Sequence, residues 1–498
     1  MKNIHQLISM LLLPVLLLGP LGCGREYLED VQVLEELDGT TFYQSESDAI
    51  QAVTAAYTPL QGRGLYKREL YALQYASGEY AITAGGFQYS AFPNFNFDGT
   101  SSQVITSTWR TCFQGIARAN AVLERVPEIE FTDQDLQNRI LGEAYFLRGL
   151  YYFHLVTLYG DAPILDRLVS GPEDELFAPS RNPASEVWTF IESDFTQARG
   201  LLPQRGEYAS SEVGRATSGA AQGYLGKAFL YQEKFAEASA AFKSIMDGEY
   251  GSYSLVNFED NFTDANENNE ESLFEVQFIG GIGNIWAGDD TGNETESTYL
   301  GTEFGPRWFG NAYPSDAMNA IFDRNPEESV RRLFTIAREG DSWGSWDPVA
   351  VSNFNARIPN AGGSSAIRKH NLGPAEVRLQ SGINYRMMRY SDVLLMYAEA
   401  ENEINGPSQA AYEAINQVRA RAQVADLAAG LSQSEFFEAI RTERRLEFMF
   451  EMSAYFDLIR WGLGTEMPGF QTGKNELLPV PESDVIINPN LLPNNPGW

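Results

Sequence analysis

Residues 218–246 most narrowly limit what this chain can fold into, because they match the tetratricopeptide pattern of two packed helices. Six side chains occupy relative positions 7, 8, 11, 17, 20 and 24 of that repeat, namely Leu225, Gly226, Phe229, Phe235, Ala238 and Phe242. The small residues at positions 8 and 20 allow two antiparallel helices to approach, and the aromatic rings fill the groove between them. The segment therefore predicts one helix pair of a repeat scaffold.

Apolar residues recur at spacings of three and four in several further segments, which predicts more packed helices. The segments are residues 107–126, 136–159 and 185–202 in the first half of the chain, and 390–404, 408–424 and 434–461 near its end. Asn405-Gly406-Pro407 is a stop signal between two of the later helices. The last segment carries a charged band whose helical spacing favours structural ion pairing: Arg441, Arg444, Arg445, Glu447 and Glu451.

Residues 1–23 have the pattern of a bacterial lipoprotein leader. Lys2 provides the positive start, residues 8–18 form an apolar stretch too short to span a bilayer, and Gly22 is the small residue before Cys23. A diacylglycerol on the Cys23 sulfur and an acyl group on its amine would together give stable membrane anchoring. Because Pro20 stands where an aliphatic residue is usual, an ordinary secretory leader with a later cleavage site is the alternative.

The charge of the chain excludes two classes of partner. There are 67 acidic and 36 basic residues, which gives a formal net charge of −31. Nucleic acids and anionic lipids carry the same sign and are repelled. A solvated surface protein and a protein from a saline habitat would both show this excess of acids.

The inventory of reactive side chains is small, which predicts a protein that binds and does not catalyse. After the leader there are two histidines, and His154 lies in an aromatic helical segment where a core imidazole is expected. Cys112 is the only cysteine besides Cys23, so a lipidated chain has no intrachain disulfide. The sequence contains no HExxH, GxSxG, P-loop or paired CxxC motif. We expect no catalytic residues and no cofactor.

One segment partly matches a calcium-binding loop. Oxygen-bearing side chains fall at its positions 1, 3, 5 and 12, namely Asp264, Asn266, Asn268 and Glu275, with Glu270 and Ser272 at positions 7 and 9. Asn269 replaces the glycine of position 6, and residues 273–278 alternate like a strand. The strand is the stronger of the two interpretations, so calcium is kept only as a candidate.

A ligand site is expected where irregular chain and aromatic side chains coincide. Twelve glycines fall between residues 280 and 363, together with four of the eight tryptophans: Trp286, Trp308, Trp343 and Trp346. An indole face can cover the C–H face of a pyranose while nearby amides bind its hydroxyls. A second candidate wall carries Phe87, Tyr89 and Asn94, with Phe92, Phe95 and Phe97 beside them. The alternative is that these aromatic residues only anchor long loops to the scaffold.

Six segments, in the same order, resemble the SusD/RagB family of outer-membrane nutrient-binding lipoproteins. They are residues 109–126 (WRTCFQGIARANAVLERV), 142–165, 214–238, 389–405 with 411–422, 441–461 (RTERRLEFMFEMSAYFDLIRW) and 477–498 (LLPVPESDVIINPNLLPNNPGW). The resemblance covers nearly all of the chain after the leader. Six matching segments in the order of the family are far more specific than any one segment alone.

The resemblance implies a mostly α fold in which tetratricopeptide-like helix pairs form a scaffold, with long irregular loops and a few short strands. Residues 1–22 would be the lipoprotein signal peptide and residues 23–498 a single SusD-like domain. Within it we expect a helical scaffold at about 45–250 and 385–462, a loop-rich ligand face at about 77–108 and 255–385, and an extended tail at 463–498. In this family, loops from the two parts of the ligand face approach each other.

The resemblance also implies a function. Members of the family bind oligosaccharides, or peptides in some cases, and pass them to a SusC-like TonB-dependent transporter. We therefore expect a glycan-binding lipoprotein of the outer membrane, and the acidic residues Glu26, Glu29 and Asp30 after Cys23 favour the cell exterior. An oligopeptide-binding import lipoprotein of the same fold is one alternative. A protein-interaction scaffold that binds no small ligand is another.

Overall fold

The computed structural model describes residues 42–82, 89–98, 103–281, 296–300, 312–338, 341, 365–370 and 381–498. These residues form a mostly helical fold with a few short strands, as predicted. The α-helices are α1 (Glu46–Tyr57), α2 (Gln103–Arg125), α3 (Gln134–Tyr159), α4 (Ala184–Leu201), α5 (Ser218–Tyr231), α6 (Phe235–Met246), α7 (Asp316–Arg324), α8 (Ser329–Thr335), α9 (Tyr390–Asn405), α10 (Gln409–Arg421), α11 (Gln433–Phe448), α12 (Ser453–Arg460) and α13 (Glu482–Ile487).

The strands in the described ranges form antiparallel two-stranded sheets. The pairs are β1 (Tyr80–Ile82) with β3 (Ala312–Pro314), β2 (Ser272–Val276) with β6 (Tyr385–Arg389), and β4 (Ile336–Arg338) with β5 (Ser365–Ile367). The strand predicted at residues 273–278 is confirmed as β2. All five of its residues are buried, so it lies inside the scaffold and not at its surface.

The helix pair predicted from residues 218–246 is confirmed as α5 and α6. Gly226 and Phe242 meet at their contact, and a Cβ atom added to Gly226 would lie 2.7 Å from the Phe242 ring. Ala238 is also fully buried, as expected for a small residue at this position. The tetratricopeptide spacing therefore records a real close approach between the two helices.

A second helix pair, α9 and α10, is also confirmed. Gly406 follows α9 with a φ of 70°, and the Ser408 hydroxyl accepts a hydrogen bond from the Ala411 N–H at 3.2 Å to cap α10. Helix α6 packs against α9, so the two pairs form one continuous scaffold.

The single long helix predicted at residues 434–461 is wrong, because the chain turns between α11 and α12. Phe450 and Met452 adopt left-handed φ values of 68° and 63°. Distant side chains bind the backbone of this turn: the Tyr385 hydroxyl donates to the Glu451 carbonyl at 2.7 Å, and His370 Nε2 lies 2.7 Å from the Phe450 carbonyl. These bonds replace the helical hydrogen bonds lost at the break.

Most of the charged band on this segment pairs with other elements, while Arg441 also pairs with Glu438 of its own helix and Arg445 forms no ion pair with any described residue. Glu447 is fully buried and contacts three guanidinium groups, from Arg331 at 3.2 Å, Arg389 at 2.8 Å and Arg421. Glu451 likewise pairs with Arg389 at 2.8 Å. The predicted structural pairing is confirmed for Arg441, Arg444, Glu447 and Glu451, and the pairs of Glu447 join α8, β6 and α10 to α11 through the core.

Most buried apolar residues belong to one large core. Trp109 lies in it at 3% exposure, Trp188 of α4 is half-buried against it, and the half-buried Trp461 directly follows the last residue of α12. The C-terminal tail packs back on this core, and its Leu478 N–H donates to the Leu158 carbonyl at 2.7 Å. None of the helices in the described ranges is both long and apolar enough to cross a membrane.

Candidate functional site

The pairing of β1 with β3 brings the ends of two predicted aromatic segments together. Ile82 and Ala312 are cross-strand partners at the end of this sheet. Residues 83–88, which include Phe87, follow Ile82, and residues 301–311, which include Trp308, precede Ala312. The two parts of the expected ligand face are therefore joined by a short sheet, although they are more than 200 residues apart in the chain.

A second sheet holds the ends of the segment that carries Trp343 and Trp346. Arg338 at the end of β4 pairs with Ser365 at the start of β5. The Arg338 N–H also donates to the Asp341 carboxylate at 2.7 Å. Strand β5 lies next to β3, so the two sheets are neighbours and three of the predicted segments start or end at one group of four strands.

The segment that carries Trp286 is also closed at its base. The Ile279 N–H donates to the Glu296 carbonyl at 2.7 Å, and the Gln61 amide donates to the Gln277 carbonyl at 2.7 Å and to the Glu296 carboxylate at 2.9 Å. The Tyr299 N–H donates to the Lys67 carbonyl at 3.3 Å. The base of this loop is thus attached to residues 58–67 of the scaffold.

Residues 58–77 are a part of the site that the sequence analysis missed. They run as short 3₁₀ and π turns, Thr58–Gln61, Arg63–Lys67 and Glu69–Ser77, and the last of these is buried at every residue. Helical periodicity is absent from such a segment, so no local sequence pattern predicts its structure. Only Gly62 and Gly64 indicate it, since a Cβ atom on Gly62 would lie 2.9 Å from the Pro59 carbonyl oxygen.

The main predicted ligand contacts fall outside the described residues. They are Trp286, Trp308, Trp343, Trp346 and Phe87. Their roles stay predictions, supported by the converging ends of the segments that contain them. Cys23, the predicted lipidation site, also lies outside the described residues.

Tyr89 is a core residue, which corrects its predicted place on the ligand wall. It is 2% exposed, its ring stacks on Tyr75 at 6.2 Å between centroids, and the Arg68 guanidinium lies 5.3 Å from the Tyr89 ring. Removal of this ring from water stabilises the fold, which favours a buried position over an exposed one. Asn94 is exposed, so it remains available as a ligand contact.

The other aromatic residues of this wall attach the loop to the C-terminal tail. Phe92 stacks on Phe97 at 4.6 Å, Phe97 stacks on Trp498 at 5.6 Å, and Phe95 meets the edge of Phe470 at 5.4 Å. For these residues the anchoring alternative is confirmed. The loop therefore offers a fixed base from which neighbouring side chains can bind a ligand.

The calcium candidate has its acidic end already occupied by protein groups. Glu275 accepts hydrogen bonds from the Asn268 N–H at 3.1 Å and from the Asn384 amide at 3.0 Å, and the Arg386 guanidinium lies 3.4 Å away. Asn266 donates to Asp260 at 3.0 Å. Within the described ranges no cluster of three or more His, Cys, Asp or Glu side chains is placed to hold a metal ion. Asp264, the first residue of the candidate, lies in a short 3₁₀ turn.

Both described histidines and Cys112 are buried, and burial shifts the pKa of each. Burial, with a contribution from the charge of Lys227, lowers the pKa of His154 to about 3, and its Nε2 lies 2.9 Å from the Tyr66 hydroxyl. Burial lowers the pKa of His370 to about 4. Burial also raises the pKa of the Cys112 thiol far above its usual range. Each of these groups is therefore neutral at physiological pH and has a packing role.

Comparisons with known proteins agree with this architecture. The family model described as the SusD family matches residues 261–473, and a model described as "Starch-binding associating with outer membrane" matches residues 30–230. SusD-like protein P2 of Formosa agariphila is 28% identical over 97% of this chain and 98% of its own.

Solved structures share the fold. A SusD homologue from Bacteroides thetaiotaomicron superposes with a TM-score of 0.79 at 23% identity, over 93% of this chain and 99% of that one. A laminarin-binding SusD-like protein superposes with a TM-score of 0.75 at 24% identity, over 91% of this chain and 100% of that one. These structures show the fold, and the two family models with the curated relative show that the chain belongs to the SusD/RagB family.

Proposed function

We propose that this protein is a cell-surface lipoprotein that captures oligosaccharides and delivers them to a TonB-dependent outer-membrane transporter. The observation that carries the glycan-binding part is the pairing of Ile82 with Ala312, because it joins the two aromatic regions of the expected ligand face. Membership in the SusD/RagB family supports the same ligand class, as does the laminarin-binding neighbour of the same fold.

Binding would use flat aromatic surfaces with a few polar groups. Indole rings from Trp286, Trp308, Trp343 and Trp346 would cover the apolar faces of sugar rings, and exposed amides such as that of Asn94 would bind hydroxyls. The described loop bases are fixed by backbone pairing and by buried aromatic rings, which lowers the entropy lost when the site closes on a ligand.

The proposed role requires no covalent chemistry. His154, His370 and Cys112 are buried with pKa values that keep them neutral, so they supply neither a general base nor a thiolate near the loops. Affinity would come from stacking and hydrogen bonds, each of them weak.

The lipid anchor and the transporter complete the proposal. Lipidation at Cys23 would place the protein at the outer membrane, in agreement with the description of the family model that matches residues 30–230. Tethering next to a transporter would raise the effective concentration of captured ligand at its entrance. Weak binding would then suffice for import.

A binding screen of the chain that begins just after Cys23 tests this proposal. Oligosaccharides from plants, algae, bacteria and animal hosts, with a peptide mixture alongside, would be titrated and followed by tryptophan fluorescence and calorimetry. An oligosaccharide that quenches fluorescence is the expected result. Binding of peptides alone would favour peptide import, and binding of neither with stable co-purification of a partner would favour a scaffold.

A further inference from the structure

A cleft with a volume of about 520 Å³ lies beside the base of the β1–β3 sheet. Its walls come from α7, α11 and α12, and Ser77 lines it from the turn that leads into β1. Helix α7 begins two residues after the end of β3. The cleft therefore lies at the Tyr80–Pro314 end of this sheet, whereas the aromatic segments start at the Ile82–Ala312 end.

Four arginines line the cleft, and two of them are fixed by neighbouring groups. Arg444 is buried and binds Asp392 at 2.7 Å and Asp457 at 2.8 Å. Arg441 binds Glu438 at 2.9 Å and Glu466 at 2.8 Å, and its guanidinium lies 5.9 Å from the Trp461 ring. Its Nε atom is buried without a hydrogen-bond partner in the structure. These contacts hold both guanidinium groups in fixed positions, and their four carboxylate partners more than balance their charge.

The other two arginines, Arg324 and Arg445, are exposed at the same cleft. Neither forms an ion pair or a hydrogen bond with any of the residues that the structure describes. Arg445 acts on the buried Glu79 only through its field. The lining holds four arginines and three carboxylates, and Asp392 on Arg444 adds a fourth, so the cleft is close to neutral in a chain whose net charge is −31.

We propose that this cleft binds an oxyanion group, a carboxylate or a sulfate, carried by a saccharide. The volume matches that of sites for small ligands. A guanidinium presents parallel N–H donors that fit both kinds of oxyanion, and Arg324 and Arg445 have these donors free. The assignment of the oxyanion to a saccharide rests on the proposed function. The binding of an oxyanion in the cleft is argued from the arginines alone.

The overall negative charge does not prevent such binding. At physiological ionic strength, charges more than about 8 Å apart are largely screened, so an oxyanion in the cleft responds mainly to the lining, where Arg324 and Arg445 have no ion-pair partner among the described residues. A cleft of this kind would select acidic oligosaccharides among the glycans that the aromatic segments can stack upon. The cleft and the aromatic segments would then bind different parts of one ligand, from opposite ends of the β1–β3 sheet.

Calorimetry on the chain that begins just after Cys23 tests the inference. The probes are an oligogalacturonate, a sulfated galactan oligosaccharide, a neutral laminari-oligosaccharide, galacturonate monomer and inorganic sulfate. We expect Arg324→Gln and Arg445→Gln each to weaken binding of an acidic probe by roughly five- to tenfold, and to leave the neutral probe unchanged. The two acidic oligosaccharides distinguish a carboxylate from a sulfate.

Arg110→Gln is the matched control, because Arg110 is an exposed arginine of α2 that pairs with Asp484 and does not line the cleft. Thermal unfolding of each variant checks folding, and Arg324→Gln gives a result free of the effect of Arg445 on Glu79. Equal affinity of the acidic probes for wild type and both cleft variants would overturn the inference. Binding of the neutral probe alone would also overturn it, but that result would still support the proposed function.

Another set of binding results would support the oxyanion cleft and contradict the proposed glycan capture. Binding of galacturonate monomer or sulfate that depends on Arg324 and Arg445, with no oligosaccharide bound, would support the oxyanion cleft and contradict glycan capture. Absence of binding by every probe would overturn the oxyanion cleft, and the wider oligosaccharide screen decides glycan capture separately.

Discussion

Glu79 Oε2 accepts a hydrogen bond from the Phe450 backbone N–H at 3.1 Å, which joins the residue before β1 to the turn between α11 and α12. The Glu79 side chain is buried, and its second oxygen has no hydrogen-bond partner in the structure. Burial raises the pKa of Glu79 to about 7, although the Phe450 N–H and the charges of Arg445 and Lys369 act to lower it. A carboxyl at the base of the candidate site therefore titrates near neutral pH.

This shift predicts a pH-dependent stability with a defined sign. Because the folded pKa of about 7 lies above the usual 4.5, the neutral carboxyl stabilises the fold at low pH, and this contribution is lost as the pH rises through 7. Glu79→Gln removes the titration and keeps an oxygen for the Phe450 N–H. Between about pH 5 and about pH 8, the free energy of unfolding of the variant should rise relative to wild type by up to about 3 kcal/mol.

Urea denaturation at several pH values measures this difference. Glu237→Gln, at an exposed position of α6, is the control and should show no such trend. A difference between Glu79→Gln and wild type that does not change with pH would contradict the prediction.

The buried contact between Glu447 and Arg389 predicts a large loss of stability on neutralisation. Burial alone would raise the pKa of Glu447, but the charges of Arg421, Arg389 and Arg331 hold it well below its usual range. Glu447→Gln leaves these guanidinium groups buried with less counter-charge. We expect the free energy of unfolding to fall by about 3–5 kcal/mol. Chemical denaturation checks this value, with the exposed pair Lys243 and Asp247 as control, where Lys243→Gln should change little.

Close packing of α5 on α6 predicts the effect of one added methyl group. Gly226→Ala would place a Cβ atom 2.7 Å from the Phe242 ring, so the ring has to shift. Overpacking costs about 1–3 kcal/mol, and the higher helix propensity of alanine offsets up to about 1 kcal/mol of it. The matched control is Gly200→Ala in α4, where no atom lies within 4 Å of the added Cβ. Thermal unfolding should show a lower midpoint for the first variant and an equal or higher one for the second.

Local patterns are sufficient to predict the scaffold, because a helix pair requires small and aromatic residues at fixed spacings within one short segment. Gly226 and Phe242 lie in one repeat unit, and their spacing alone indicates the close approach. The break after α11 has no such local pattern, since Phe450 and Met452 are held in left-handed conformations by partners such as His370 and Tyr385, far away in sequence. The continuous apolar and charged period of residues 434–461 therefore predicts one helix where the structure has two.

The candidate site could be predicted by region and not by residue. A loop rich in glycine and aromatic side chains indicates a surface platform, but the sequence does not distinguish a ring that faces solvent from one that packs inward. Tyr89 and Phe97 are buried because Arg68, Tyr75 and Trp498 come from separate parts of the chain to cover them. The convergence of the loop ends also depends on a pairing, Ile82 with Ala312, that no local pattern records.

The tryptophans of residues 339–364 give the most direct test of glycan capture. Trp343 and Trp346 belong to the segment between β4 and β5, whose ends are fixed by the pairing of Arg338 with Ser365. Loss of one stacking ring should remove about 1–2 kcal/mol of binding energy, roughly a five- to thirtyfold weaker affinity. Trp343→Ala and Trp346→Ala should therefore reduce affinity for the best oligosaccharide of the screen without lowering the unfolding midpoint.

Phe177→Ala is the matched control, since Phe177 is an aromatic residue that is 58% exposed and lies outside the predicted ligand face. It should leave affinity unchanged. If both tryptophan variants bind as wild type does, stacking at this loop is not the source of affinity. Trp286 and Trp308 would then be the next positions to replace, because the segment that contains Trp308 ends at Ala312 in the same group of strands.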